Sequence, residues 1–166
     1  MKIRSIALLA VLAAGRLIAA VPTPASHFGF TPGDERKLFG YRELVGYYEK
    51  LAAASDRIVW REFGRTSQNK PMYMAFISDA ANLKRLDEYG EINRKLALAT
   101  VNDAQARELA AKGKAFVWID SGLHASEVAP TQQAPELAYR MLTDESEETR
   151  RIRRNIILIQ VPSINP

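Results

Sequence analysis

The chain has 166 residues, 47% hydrophobic and 25% charged, which is enough apolar side chain for one domain with a core and excludes a disordered segment. Its formal net charge is +4, and its one dense basic run, Arg150-Arg151-Ile152-Arg153-Arg154, directly follows an acidic run from Asp144 to Glu148. That order reads as a helix matched to its own dipole, and with no aromatic residues interleaved it argues against a nucleic-acid partner. Cysteine is absent, which excludes disulfides, thiolate metal sites and a lipid-bearing cysteine and leaves a metal only carboxylates, water and the two histidines, His27 and His124.

The first residues read as an export leader. Lys2 and Arg4 give a positive start, Ile6 to Ala14 a short apolar run, and small residues follow, with cleavage expected after Ala20 or Ala25. Arg16 interrupts the apolar stretch, which argues against a membrane span. The protein is therefore expected to be exported to the periplasm or the extracellular space. Val21-Pro22-Thr23-Pro24 reads as an extended linker and residues 21–40 as an N-terminal arm ahead of a domain over 41–166.

Tyr41, Leu44, Val45, Tyr48, Leu51 and Ala52 recur at spacings of three and four, predicting a helix from about Gly40 to Ala54. Ile58–Phe63 and Met72–Ile77 read as strands of a hairpin, joined by a loop over 64–71 in which Gly64-Arg65-Thr66 supplies turn geometry. A helical stretch begins near Asp79, marked by Leu83, Leu86, Ile92 and Leu96. Asn102 caps the next helix, with Gln105 placed for a capping box, and Gly113 ends it.

Ala115 to Ile119 is a short apolar run read as a buried strand, with Trp118, like Trp60, assigned to the core. Thr131 to Leu142 is helical, with Pro135 placed near its first turn. Asp144 and Glu147 open a short helix. Asn155 to Val161 is apolar without alternation, which predicts a central strand covered on both faces. The order predicts an α/β fold, a mixed sheet covered by helices. An apolar strand followed only by Pro162–Pro166 would leave that sheet incomplete, so the chain is expected to be the first part of a larger domain.

The chemistry lies in Asp120-Ser121-Gly122-Leu123-His124-Ala125-Ser126-Glu127. A strand runs into a glycine turn that delivers a histidine and a carboxylate three residues apart. Zinc hydrolases use nitrogen and oxygen ligands, usually three from protein with one position kept for water, and this loop offers one of each. Ligand sites of open α/β sheets gather beyond the carboxyl ends of strands, where this loop falls. A solvated polar pair on a helix is the plainer reading of such a motif, and the strand and glycine before it favour the metal. Asp120 suits either an outer-shell acceptor or a strand-end cap, and His27 a packing or hydrogen-bonding role in the arm.

Several separated segments, in order, resemble the N-terminal part of an M14-type zinc carboxypeptidase of the bacterial exported branch. They are Ser26-His27-Phe28-Gly29-Phe30 with Pro32-Gly33, Gly64-Arg65-Thr66 with Pro71-Met72-Tyr73, Asp120 to Glu127, and Val161-Pro162-Ser163-Ile164-Asn165-Pro166. The resemblance implies that His124 and Glu127 are the first two ligands of a Zn²⁺ cofactor and that the substrate is a peptide. It also implies that the second histidine ligand, the carboxylate-gripping arginines and the glutamate general base lie beyond Pro166. Ser126 departs from members that carry arginine just before the glutamate, which removes one group that would polarise the substrate carbonyl. The implied activity is hydrolysis of C-terminal peptide bonds, with this stretch alone inactive. Alternatives on the same fold are a zinc amidase or deacylase, and an exported binding domain without catalysis.

Overall fold

The computed structural model describes residues 20–166; the stretch read above as an export leader lies, up to residue 19, outside the described residues. The elements in order are α1 (Pro24–Phe28), α2 (Tyr41–Ala54), β1 (Ile58–Arg65), β2 (Pro71–Ile77), α3 (Ala80–Leu83), α4 (Leu86–Ala97), α5 (Asp103–Lys112), β3 (Ala115–Asp120), α6 (Val128–Thr143), α7 (Glu147–Asn155) and β4 (Ile156–Val161). The four strands form one mixed sheet in the order β1-β2-β4-β3. β2 pairs antiparallel with β1 and with β4, while β3 runs parallel to β4. The α/β reading with a mixed, helix-covered sheet holds.

α2 starts where Gly40 N donates to the Glu43 carboxylate at 2.7 Å. Its buried residues, Leu44, Tyr47, Tyr48, Leu51 and Ala54, follow the helical spacing expected of one apolar face. That face joins Ile58, Ala75, Ile77, Ala138, Met141 and Leu158 in the main core. On the other side of the sheet Leu86, Tyr89 and Ile92 of α4 close a second core over Ile157, with Phe116 and Leu109 packed against it. β4 thus feeds both cores, as its predominantly apolar pattern without alternation predicts.

At the centre of the first core Gln160, fully buried, joins three elements. Its Nε2 donates to Ala134 O at 3.0 Å, and Tyr48 Oη donates to its Oε1 at 2.9 Å. Trp60 stacks between Tyr48 and Tyr73, with ring centroids 4.7 and 5.0 Å away, and packs on the main core as expected.

Several expectations are corrected. β3 lies at the sheet edge rather than buried within it, and Trp118 and Val117 are 50% and 38% exposed. An apolar run records a preference for burial but not which neighbours the chain supplies. α6 begins at Val128, three residues before the predicted start, so Pro135 sits inside the helix and not in its first turn. It removes the backbone donor that would have bonded Thr131 O. Gly64 and Arg65 belong to β1, where the register shifts between Glu62 and Gly64 in a bulge, so the hairpin loop is only Thr66 to Lys70. Residues 21–24 are no loose linker: Pro24 opens α1 and is buried, and Val21, Phe28 and Phe30 pack on the main core.

The capping box of α5 is present as predicted, Asn102 and Gln105 exchanging bonds of 3.0 and 3.2 Å. α7 is capped by Ser146, and the Asp144 carboxylate outside it accepts from Thr149 Oγ1, Ser146 N and Ser146 Oγ at 2.7, 2.8 and 3.0 Å. These bonds, that of Thr149 foremost, hold the Asp144 carboxyl down from 3.8 to about 2. Because the folded value is the lower one, the stabilisation is present above the unfolded value and is lost as pH falls through about 2. Asp144→Asn is therefore expected to lower stability at neutral pH and to flatten its decline between about pH 4 and pH 2, read from urea unfolding at a series of pH values.

Candidate metal centre

β3 and β4 are parallel and end together, Asp120 opposite Val161, so the chain leaves both strands on one edge of the sheet. The two segments that follow are tied to each other. Ser121 N donates to Val161 O at 2.9 Å and Ile164 N to Ser121 O at 2.8 Å. Asn165 Nδ2 donates to Leu123 O at 3.3 Å. Between these ties Gly122 turns with φ +65°, in the left-handed region that glycine alone enters freely. A Cβ there would collide with Thr131 Oγ1 on α6 and stand 3.2 Å from Ser163 Oγ. The expected glycine turn is thus required both by backbone sign and by space.

The turn delivers His124 and Glu127 to one place. Glu127 N donates to His124 O at 3.0 Å, and His124 Nδ1 donates to Glu127 Oε2 at 3.0 Å. Their side chains are 67% and 58% exposed. Glu127 is the residue before the first turn of α6, where the positive end of the helix favours a carboxylate. Neither residue lies on a helix, so the plainer reading of a solvated helical pair does not describe them.

Beside the pair is a pocket of about 240 Å³ lined by Phe39, Tyr41, Thr131, Gln132, Ser163 and Asn165. Gln132 holds the Phe39 wall in place, its Nε2 donating to Phe39 O at 3.1 Å and its Oε1 accepting from Phe39 N at 3.3 Å. Tyr41 Oη donates to Pro71 O at 2.7 Å, and burial, with smaller effects from Tyr73 and Glu62, pushes its hydroxyl up to about 12. It is a neutral donor throughout the physiological range. Gln132, Thr131, Ser163 and Tyr41 were not singled out as site residues from sequence. Their partners are distant in the chain, and no local pattern marks them.

The fold described so far has recognisable relatives. The family model for zinc carboxypeptidases matches residues 44–166, a stretch that takes in both His124 and Glu127. The chain belongs to the M14 zinc carboxypeptidase family. It is similar to the crystal structure of thrombin activatable fibrinolysis inhibitor, with a TM-score of 0.55 and 12% identity over 90% of this chain and 29% of that one. It is likewise similar to carboxypeptidase A from Helicoverpa armigera, with a TM-score of 0.55 and 18% identity over 86% of this chain and 30% of that one. At these identities the likeness is one of fold, and the chain spans less than a third of the length of either structure. No curated protein matches the chain.

The zinc that the family name implies can be tested against the residues present. Two ligands held at about 2.1 Å by a tetrahedral zinc stand about 3.4 Å apart. Nδ1 of His124 and Oε2 of Glu127, at 3.0 Å, need to open only slightly to admit the ion. The donor set, one imidazole and one carboxylate, suits zinc, and the pair fits. Among the described residues no three histidine, aspartate or glutamate side chains gather into a metal group. His27 is engaged elsewhere, as expected for a residue of the arm: Nε2 donates to Glu43 O and Nδ1 accepts from Lys50 Nζ, each at 3.0 Å. Asp120 ends β3 with its side chain exposed.

Proposed function

We propose that this chain carries the first two zinc ligands, His124 and Glu127, of an exported metallocarboxypeptidase that hydrolyses C-terminal peptide bonds. The observation that carries the proposal is the 3.0 Å approach of Nδ1 and Oε2 on a loop built by Gly122 beyond the ends of two parallel strands. Family membership supports it. The third ligand and the general base are proposed to lie on chain outside the described residues, in keeping with a match to less than a third of the related structures.

His124 contributes its Nδ1 lone pair and Glu127 one carboxylate oxygen. The ties from the Ile164 backbone N–H and the Asn165 side-chain amide keep the loop from relaxing when the proton between the two side chains is displaced. Zinc held there would lower the pKa of a bound water and polarise the scissile carbonyl. The pocket walled by Phe39 and Tyr41 gives the peptide an apolar surface beside the ligands. Ser126 offers no cation next to Glu127, so polarisation from that position is not available. Among the described residues no helix is long and apolar enough to cross a membrane.

Release of C-terminal residues from a peptide panel, with and without zinc, tests the reading. The 166-residue protein is expected to show no turnover. The longest product encoded by its gene is expected to show zinc-dependent turnover that His124→Ala and Glu127→Gln each reduce by at least about 100-fold. Release of acyl groups or internal amides in place of C-terminal residues would favour an amidase or deacylase. No turnover from the longest product would favour a binding domain.

A further inference from the structure

The N-terminal segment is part of the folded domain from Val21 onward. Val21 packs against the main core, and Pro22 O accepts a hydrogen bond of 2.9 Å from Tyr47 Oη, whose residue has no exposed surface. Thr23 is the cap of α1: its Oγ1 accepts from Ser26 N at 3.1 Å and its carbonyl from Ser26 Oγ at 2.7 Å. Pro24, the first residue of the helix, is buried. α1 sets Phe28 on Phe39 at 4.0 Å between ring centroids, and so supports the segment that walls the pocket.

We infer that the leader is removed by hydrolysis of the Ala20–Val21 peptide bond, and that the alternative bond, Ala25–Ser26, is not a processing site. Water adds across the bond, leaving a carboxylate on Ala20 and an ammonium on Val21. A cut after Ala25 would fall inside α1. It would remove the Thr23 cap and the buried Pro24, and it would leave the Tyr47 hydroxyl without its acceptor in the core. The local sequence points the same way. A peptidase that reads its substrate as an extended strand would meet Pro24, which lacks a backbone donor, immediately before Ala25. The residues from Leu17 to Ala20 contain no proline and end in two alanines. The inference rests on the export reading of the leader, and two separate measurements address the two.

The first is mass spectrometry of the N-terminus after the 166-residue precursor is expressed in a bacterium with an export pathway. A periplasmic product starting at Val21 is expected. A product starting at Ser26, or at any other residue, overturns the site. Intact Met1 in the exported fraction overturns the leader reading and the site with it. The second compares the melting temperatures of leaderless proteins starting at Val21 and at Ser26, each released from a removable tag. The shorter form is expected to melt at least about 5 °C lower, because it loses a helix cap, a core contact and a buried hydrogen bond together. Equal melting temperatures would overturn the structural ground for preferring Ala20, whatever happens on export.

Discussion

Arg153→Leu is expected to destabilise the protein by about 3–5 kcal/mol, a large share of the roughly 5–15 kcal/mol that holds a domain of this kind together. Arg153 is 1% exposed although it belongs to the most basic run of the chain. Its Nη1 donates to Met141 O at 3.1 Å and to Asp144 O at 2.6 Å, and its Nη2 donates to Glu145 Oε2 at 3.2 Å. Asp79 Oδ1 lies 3.5 Å from Nε. The guanidinium therefore joins the end of α6, the loop after it, α7 and the turn before α3. Leucine would fill part of the volume but leave the Met141 and Asp144 carbonyls without their donors, and an unpartnered buried acceptor costs about 1–3 kcal/mol. Arg153→Lys keeps the charge without the planar fork and is expected to recover only part of the loss. Urea unfolding of both variants checks this; a change below about 1 kcal/mol for leucine would contradict the role given to the guanidinium.

Gly122→Val is expected to cost about 2–4 kcal/mol and to weaken zinc binding together with stability. Valine is β-branched and ill suited to φ +65°, and its Cβ would collide with Thr131 Oγ1 and crowd Ser163. Moving the loop away from α6 relieves that overlap. Such a shift strains the ties from Val161 and Ile164 to Ser121 and carries Leu123 and His124 out of position. Gly122→Ala, with the same backbone strain but less bulk, is expected to show the same pattern at about 1–2 kcal/mol. Unfolding and zinc titration on the same preparations test the coupling; zinc affinity unchanged in a destabilised valine variant would separate the loop from the site.

Much of this architecture was legible in the chain because it is written locally. The three-and-four spacing of Leu44, Tyr48 and Leu51 specified α2, and the apolar run without alternation from Ile156 to Ile159, resumed at Val161, specified an interior strand. The proximity of His124 and Glu127 followed from a three-residue spacing after a glycine turn. What was not legible depends on contacts far apart in sequence. Gln132 grips Phe39 across 93 residues, and Asn165 holds Leu123 across 42. The burial of Arg153 follows from α7 turning Thr149 and Arg153 inward against acceptors on other elements, which a run of arginines does not announce. Trp118 shows the converse: its residue type suggested core, but β3 has a strand on one side only.

The most direct measurement is calorimetric titration of Zn²⁺ into the leaderless protein running from Val21 to Pro166 and into its His124→Ala and Glu127→Ala variants at neutral pH. With two protein ligands in place, weak one-to-one binding is expected in the parent, at least about tenfold weaker in each variant, with melting temperatures of all three within about 2 °C because both side chains are exposed. Zinc binding that is indifferent to both substitutions would contradict the assignment of His124 and Glu127 as a metal pair.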